Sequence, residues 1–328
     1  MYGGSLHMSS AILPLMLDRS WSLDYFGCMN KLPPEQRARI LHLLCEGNSI
    51  RAVERLTGAS KHTISKLLND AGAALGAYQD RVFRNLSCKR VQVDEIWSFT
   101  YAKQKNVEHS KAAPAAAGDT WTWTAIDADT KLVFAVLVGG RDAEYAYEFM
   151  NDVQSRLAGR VQLTSDGHAH YLPAVREAFG GAVDYAMLVK IYGNTGASGS
   201  GASRYSPAPL TGIRKRRVSG NPDMEKVSTS FVERQNLTMR MHMRRFTRLT
   251  NGFSKKIEAH VNAISLHFAY YNFVRIHRTL KVTPAIAAGV TDRLWEMADL
   301  VSIIEAADAK PNRPTSYKKR SAQFSGGL

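Results

Sequence analysis

The stretch "RVQVDEIWSF", residues 90–99, alternates apolar and polar positions and is rich in β-branched and aromatic residues. That pattern is typical of a half-buried strand. The stretch "TWTWTAID" at 120–127 alternates in the same way, and "LVFAVLVGG" at 132–140 is apolar enough for a fully buried strand. The turn sequence "DADTK" separates the last two stretches. Three consecutive strands are therefore predicted.

Helices and strands alternate after the third strand. Apolar residues at helical spacing predict helices over 142–159 and 169–180, and short β-rich stretches predict strands at 160–166 and 182–193. The order βββαβαβ followed by a helix is that of a ribonuclease H-like domain, whose first and fourth strands lie side by side in a central sheet. The sequence therefore predicts an α/β fold of this kind.

This arrangement would bring together acidic residues that are far apart along the chain. Asp94 lies on the first strand and Asp166 at the end of the fourth, so their carboxylates are expected to meet at one edge of the sheet. Two carboxylates so placed repel each other, and a hard divalent cation such as Mg²⁺ or Mn²⁺ removes that repulsion. Glu233 lies near the start of the helix after the fifth strand and could complete a site for two ions, as in phosphoryl transfer.

The helix that carries Glu233 is predicted over about 228–249. Its apolar positions form one stripe, and the other face carries a row of polar residues, namely Glu233, Asn236, Arg240 and Arg244. The interpretation favoured here is one acid for the metal followed by donors for DNA phosphates. An ordinary basic helix, in which Glu233 pairs with a neighbouring arginine, is the alternative.

Other acids and histidines near these strands are weaker candidates. Glu95 follows Asp94, and strand alternation places it on the opposite face, so it is left out of the predicted site. Asp127 and Asp129 flank a turn, where aspartate commonly bonds to the local backbone. His168 and His170 have no third ligand nearby for zinc, and loop histidines near a phosphate are the preferred interpretation.

A three-helix pattern occupies residues 31–80. Ser49 and Ser60 are suited to cap the second and third helices, and Gly58 supplies the turn between them. A helix-turn-helix is predicted. The outward side of its third helix offers donors for phosphates and base edges in a major groove, namely Lys61, His62, Thr63 and Lys66. A small helical bundle with a basic surface is the alternative.

The remaining segments are assigned by composition. Residues 1–30 show no clear period, and 193–223 are rich in Gly, Ser and Pro, which predicts a long mobile loop inside a catalytic domain spanning 88–290. The loop could be a linker or functional, and the basic run at 215–217 could contact DNA or only solvent. Further helices are expected at 254–278 and near 291–308, with a basic tail to 328. His277 could contact DNA or fix a packing corner.

The overall charge favours an anionic partner. The chain has 43 Lys and Arg against 29 Asp and Glu, a net charge of +14, so nucleic acid is the first expectation and an anionic membrane the second. No stretch approaches the roughly 20 apolar residues of a spanning helix, and no signal peptide is evident. A cytoplasmic protein is predicted. Cys28, Cys45 and Cys88 lack CxxC spacing and are expected to be buried thiols.

Four short motifs resemble those of a known family. "VDEIWSF", "TSDGHAHY" and "FVERQNLTMR" resemble the three acidic motifs of DDE transposases, particularly the bacterial insertion sequence one group. "YYNFVRIHRTLKVTPA" at 270–285 is similar to the segment that closes many transposase and integrase catalytic domains. The resemblance covers about 90–290, and its motifs follow one another in the right order. Its departure from compact members is the long interval between the second and third acids.

The resemblance implies a catalytic triad of Asp94, Asp166 and Glu233, with Arg234, Asn236 and Arg240 accompanying the last acid. It also implies dependence on Mg²⁺, binding to double-stranded terminal inverted repeats and target DNA, and cleavage and strand joining by a homo-oligomer on bacterial nucleoid DNA. The alternative function is a non-catalytic DNA-binding protein, such as a domesticated transposase or a repressor. A structure-selective nuclease is a third possibility.

Overall fold

A computed structural model describes residues 6–7, 31–193, 208–247 and 251–308, and it confirms the α/β class. A mixed sheet of six longer strands, with a two-residue strand at one edge, forms its centre. The strands are β1 Leu6–His7, β2 Arg90–Thr100, β3 Gly118–Asp127, β4 Val133–Gly139, β5 Val161–Ser165, β6 Val183–Tyr192 and β7 Leu210–Ser219. The predicted N-terminal extension and the tail from 309 otherwise lie outside these residues.

The strand order in the sheet is β1-β4-β3-β2-β5-β6-β7. The first three long strands form an antiparallel meander, and β2 pairs in parallel with β5, which pairs in parallel with β6. The predicted adjacency of the first and fourth strands is therefore confirmed. Because β2 continues past the carboxyl end of β5 at Ser165, residues in the middle of β2 lie beside the residues that follow β5.

Helices cover both faces of the sheet. The described α-helices are α1 Pro34–Cys45, α2 Ile50–Thr57, α3 Lys61–Val82, α4 Gln104–Val107, α5 Ala143–Arg156, α6 Tyr171–Phe179, α7 Ser230–His242, α8 Ile257–Ala269, α9 Pro284–Ala287 and α10 Met297–Ala307. One core joins Val91, Val93 and Trp123 of the sheet to α5 and α6. The other joins Ile96 and Ile126 to α7, α8, α10 and the N-terminal helices. Burial on both faces explains the apolar character of the central strands.

The predicted caps of the second and third helices and the turn between them are confirmed. Ser49 and Ser60 accept the capping hydrogen bonds of α2 and α3, and Gly58 ends α2 in a left-handed conformation at φ 71°. These helices also pack against the C-terminal part of the chain. A Cβ atom at Gly72 of α3 would lie 2.2 Å from the Asn262 carbonyl oxygen, so only glycine permits this close approach to α8.

The prediction of a loop throughout 193–223 is wrong for part of that range. Residues 210–219 form β7, which pairs antiparallel with β6, whereas 194–207 lie outside the described residues. Strand β7 is the outer strand of the sheet, and most of its side chains are exposed, including Lys215, Arg216 and Arg217. Backbone hydrogen bonds to β6 hold this strand in place. Because its side chains are not buried, the sequence needs no alternation of apolar and polar residues there.

The helix predicted over 228–249 ends earlier than expected. Helix α7 stops at His242, Met243 has extended backbone angles, and Arg244–Phe246 form a single 3-10 turn. Met243 and Phe246 are still buried, as their apolar spacing predicted. Arg244 does not continue the α7 face that carries Glu233, because the chain changes direction at Met243. The prediction of one continuous row through Arg244 is therefore wrong.

The C-terminal helices agree with the predicted ones. The π-helical turn Tyr270–Val274 follows α8, in agreement with the helix predicted at 254–278, and α10 agrees with the one predicted near 291–308. Cys45 and Cys88 are buried free thiols, as predicted, and Cys28 lies outside the described residues. Among the described residues, no helix is both long enough and apolar enough to cross a membrane.

Two buried histidines of α8 should make the fold sensitive to acid. Burial, together with a nearby cation, lowers the pKa of His260 and His267 to about 3. Their pKa in the unfolded chain is near 6.5. The unfolded state therefore binds more protons as the pH falls below about 6.5, and each histidine removes about 1.4 kcal/mol of stability per pH unit until about pH 3.

The His267→Leu variant is expected to lose stability with acid less steeply than the original chain. His267 is 3% exposed, and neither ring nitrogen has a hydrogen-bond partner in the described structure, so leucine removes the titration without breaking a bond. Urea unfolding at several pH values between 7 and 4 measures the slope. The matched control is His109→Gln, at an exposed position. Equal slopes for His267→Leu and the original chain would contradict the assignment.

Candidate active site

Asp94 and Asp166 meet at the edge predicted from the element order. The parallel register pairs Gln92 of β2 with Thr164 of β5, and two further residues along each strand bring the chain to the two aspartates. Carboxylate oxygens of Asp94, Glu95 and Asp166 all lie within 4.8 Å of one another. Three hard oxygen donors at this spacing could hold a divalent metal ion. The predicted proximity of Asp94 and Asp166 is confirmed.

Glu95 belongs to this cluster although the sequence analysis left it out. The two neighbours contact different faces of the sheet, since Glu95 accepts from Tyr171 of α6 and Asp94 accepts from Asn236 of α7. Asp166 lies just beyond the strand end, where side chains from both faces can reach it. Alternation along β2 was therefore predicted correctly, and the Glu95 carboxylate nevertheless lies within 4.8 Å of both aspartates.

Several donors fix the Glu95 carboxylate, which is 7% exposed. Arg141 donates to it from 2.7 Å and the Tyr171 hydroxyl from 3.0 Å, while His168 Nε2 lies 3.7 Å away. Arg141 also lies over the Trp121 ring, 4.5 Å from its centroid. Burial and the Asp166 charge raise the pKa of Glu95, and Arg141 and Tyr171 oppose that rise.

Asp94 is the most strongly perturbed carboxyl of the site. Burial, followed by the charges of Glu95, Asp166 and Glu233, raises the pKa of Asp94 to about 7. Asn236 Nδ2 donates to its Oδ2 atom from 2.8 Å. Asp166 Oδ1 accepts from the backbone N–H of His168 at 2.9 Å, which orients this carboxylate on its loop. A divalent cation would offset the mutual repulsion that raises the Asp94 pKa.

Glu233 lies across the same cleft on the first turn of α7. The start of this helix is held to the sheet, because Gln92 Oε1 of β2 accepts from the backbone N–H groups of Phe231 and Val232. In the structure, the Glu233 carboxylate accepts from Lys190 Nζ and from the Thr229 hydroxyl. Burial of the Lys190 ammonium lowers its pKa, but the hydrogen bond and the charge of Glu233 outweigh burial, so the pKa of Lys190 is raised overall.

The acids and their partners line one open cleft of about 700 Å³. Its walls include all three acids predicted to form the catalytic triad, and also Arg141, His168, His170 and Lys190. The loop histidines 168 and 170 are thus beside the acidic site, as the sequence suggested. Burial and the Arg141 charge lower the pKa of His168, which favours its neutral form. A neutral imidazole can accept or donate a hydrogen bond to a ligand in this cleft.

The residues predicted to bind DNA occupy several surfaces. The four on α3 are exposed at its first turns and do not line the cleft: Lys61, His62, Thr63 and Lys66. Arg234 is exposed on α7, Arg240 is half-buried, and Arg244 is exposed on the 3-10 turn after α7. Asn236 is buried and holds Asp94, so its amide serves the acidic site directly.

Lys190 and Arg141 also line the cleft, although neither was predicted to do so. A possible signal for Lys190 was its place at the end of the apolar stretch "YAMLV" in β6, which runs parallel to β5 and ends at the same edge. Arg141 carried a comparable signal, because it follows the carboxyl end of β4, and β4 runs in the same direction as β2. Asp127 and Asp129 are structural, as predicted, because they bond to their own turn and to Arg90.

Comparison with known proteins leaves the site to be interpreted from its own geometry. The chain matches no protein-family model, and no curated protein matches it.

Proposed function

We propose that this protein is a metal-dependent DNA transposase of the DDE type. The observation that carries the proposal is the convergence of Asp94, Asp166 and Glu233 on one cleft, although they lie on two strands and a helix far apart along the chain. The cleft is open, which suits a long polymeric substrate better than an enclosed pocket does. The net charge of +14 favours a nucleic-acid partner.

The order of elements supports a ribonuclease H-like assignment for the catalytic domain. An antiparallel meander leads into two parallel strands, and β2 lies beside β5. The short helix α2, the Gly58 turn and the long helix α3 similarly support a helix-turn-helix at the N-terminus. The exposed donors on the first turns of α3 could then reach a major groove and locate the ends of the mobile element.

The donor set fits Mg²⁺ or Mn²⁺ at the acidic edge. Asp94 and Asp166 would hold the first ion, and Glu233 would complete a site for a second, with only oxygen donors. Bound ions of this kind activate an attacking oxygen and stabilise a leaving oxygen at phosphorus. Asn236 keeps Asp94 in position, and Lys190 places a positive charge next to Glu233, where a phosphate of the DNA would lie.

A cleavage assay with a supercoiled plasmid tests the proposal. The full-length protein is expected to nick or linearise DNA that carries the element's terminal repeats when Mg²⁺ or Mn²⁺ is present, and to be inactive with EDTA. Joined products with a target duplex would distinguish a transposase from a structure-selective nuclease. Cleavage that is insensitive to EDTA would contradict the proposed metal chemistry.

One observation favours the non-catalytic alternative, in which the protein binds DNA without cutting it. Lys190 occupies the carboxylate of Glu233 in the structure, so the third acid is already neutralised. That pair is partly exposed, and exposed ion pairs are weak, so a divalent cation can compete for Glu233. Tight binding of terminal repeats without any metal-dependent cleavage would support the non-catalytic function and contradict the transposase.

A further inference from the structure

Helix α7 separates the acidic cleft from a second, smaller cavity of about 180 Å³. Glu233 lines the cleft, whereas Arg234, Gln235 and Thr238 line the second cavity, together with the β3–β4 turn and the segment after the π-helical turn. Its volume is below the roughly 300 Å³ at which pockets for drug-sized ligands begin, so a small ligand group is the expected occupant.

The lining of this cavity is strongly basic. Four of its side chains are basic, namely Lys131, Arg234, Arg275 and Arg278, and no acid lines it. Within the described ranges, none of the four has a carboxylate partner within 4.0 Å. Two of them have neutral partners: Lys131 Nζ donates to the Ala128 carbonyl, and Arg275 donates to His242 Nε2 at 2.9 Å. The acids nearest Lys131 are Asp127 and Asp129, which bond to the turn backbone and to Arg90. Cations without a carboxylate partner around one cavity attract an anion.

A buried amide in this cavity also lacks a partner. Gln235 is 2% exposed, and in the described part of the chain its side-chain nitrogen has no hydrogen-bond partner. A buried N–H group without an acceptor destabilises the fold, so native proteins seldom leave one unpaired. An acceptor oxygen supplied by a ligand would satisfy it. The His277 Nδ1 atom, in the same lining, is a second buried nitrogen with no partner.

The Lys131 side chain is directed by an unusual backbone conformation. Lys131 has φ 62°, a left-handed angle that L residues rarely adopt, and its backbone N–H donates to the Asp127 carbonyl at 2.8 Å. Its Nζ atom lies 3.3 Å from the centroid of the Phe231 ring, in a side chain that is 8% exposed. Burial lowers the pKa of Lys131. An anion in the cavity would favour the charged ammonium.

We propose that this cavity is a phosphate-binding site. Lys131, Arg275 and Gln235 donate to the phosphate oxygens, and the exposed Arg234 and Arg278 guide the group in. This assignment rests on the proposed function: the phosphate belongs to the backbone of a DNA strand that crosses α7. The opposite side of α7 faces the acidic cleft. The site therefore positions the strand away from the bond that is cut, through a contact that is independent of base sequence.

Inorganic phosphate, free of DNA and metal, is the first probe. The full-length protein in phosphate-free buffer is titrated by calorimetry and by the rise in Tm, with chloride at equal ionic strength as the reference. The original chain is expected to bind phosphate, and Gln235→Met to bind it about tenfold more weakly, the factor of one charge-assisted hydrogen bond.

The Gln235→Met variant also separates a ligand site from a structural role. Methionine has nearly the same volume and no polar hydrogen, so without phosphate its Tm is expected to equal or exceed that of the original chain. A structural glutamine would instead lower the Tm when replaced. Unchanged phosphate affinity in Gln235→Met, or no phosphate binding by the original chain, would overturn the proposal.

A second experiment, with duplex DNA, tests whether the cavity contacts the nucleic acid. In EDTA, where no cleavage occurs, duplex affinity is measured at several salt concentrations for Lys131→Gln and Arg278→Gln. Each variant is expected to bind about tenfold more weakly and to reduce the salt slope by about 1, the value for one lost phosphate contact. Arg176→Gln is the matched control, since Arg176 is an exposed arginine of α6 that lines neither cavity.

The two arms distinguish this site from the proposed function. If phosphate binding and the salt slopes behave as expected but no metal-dependent cleavage occurs, the phosphate site holds and only the catalytic proposal is lost. If the protein cleaves DNA while Lys131→Gln and Arg278→Gln bind DNA like the original chain, the phosphate site alone is wrong.

Discussion

The variants Asp94→Asn and Asp166→Asn are expected to lose Mg²⁺-dependent strand cleavage by at least about a thousandfold. Each change removes a negative charge and an oxygen donor from the acidic edge, where a metal ion contributes several kcal/mol of charge stabilisation in the transition state. Binding of terminal-repeat DNA is expected to remain nearly unchanged, because the predicted recognition residues on α3 lie outside the cleft. Gel-shift and cleavage assays on the same protein preparations measure both.

The stability of Asp94→Asn serves as a control for folding. Burial and the neighbouring carboxylates raise the folded-state pKa of Asp94 to about 7, whereas the unfolded value is near 3.9. The folded state therefore binds more protons between about pH 4 and 7, and the ionised carboxylate destabilises the fold above that range, by at most about 4 kcal/mol. Without metal, Asp94→Asn should thus unfold at a higher temperature at pH 8, with a smaller difference near pH 4.

This pairing of results is specific to an acidic functional site. A structural aspartate would lose stability on substitution, whereas a site that gathers like charges for a ligand gains stability when one charge is removed. Cleavage by Asp94→Asn and Asp166→Asn at the rate of the original chain would contradict the proposed chemistry, whatever their stability.

Glu233→Gln and Glu95→Gln should differ in severity. Glu233→Gln is expected to reduce cleavage by about a hundredfold or more, because it removes the only described carboxylate on the α7 wall of the cleft. Glu95→Gln should cost only about tenfold, since Arg141 and Tyr171 hold this group away from a free role in ligation.

Single-turnover cleavage and Mn²⁺ affinity, measured on both variants, decide the third ligand. A matched control is Glu177→Gln, at an exposed position of α6 that lines neither cavity. If Glu95→Gln is inactive and Glu233→Gln retains cleavage, then the third ligand is Glu95, the acid nearest to Asp94 and Asp166 in the structure, and the triad predicted from sequence is wrong.

Much of the fold was predictable because burial leaves a period in the sequence. The alternation in β2 and β3, the apolar run in β4 and the helical spacing in α5 and α6 each predicted the element that formed. Serine caps and the Gly58 turn likewise predicted the boundaries of α2 and α3. The adjacency of Asp94 and Asp166 then followed from the known fold that this element order resembles.

Exposed and charged segments were predicted less well. Strand β7 has almost no buried side chains and is held by backbone hydrogen bonds to β6, so no period marked it. The early end of α7 was hidden because Met243 and Phe246 remain buried after the chain has left the helix. The spacing of apolar residues therefore predicted correctly that Met243 and Phe246 are buried, but it predicted wrongly that they lie in the same α-helix as Glu233.

The sequence by itself determined the α/β class, which faces of the central strands are buried, and the position of two aspartates at one edge of the sheet. Only the tertiary structure decided which groups those acids meet: Lys190 at Glu233, Asn236 at Asp94, and Arg141 and Tyr171 at Glu95. It also divided α7 between an acidic cleft and a basic cavity. Periodicity records which side of an element is buried, whereas contacts between charged side chains depend on how separate elements pack, which no local pattern specifies.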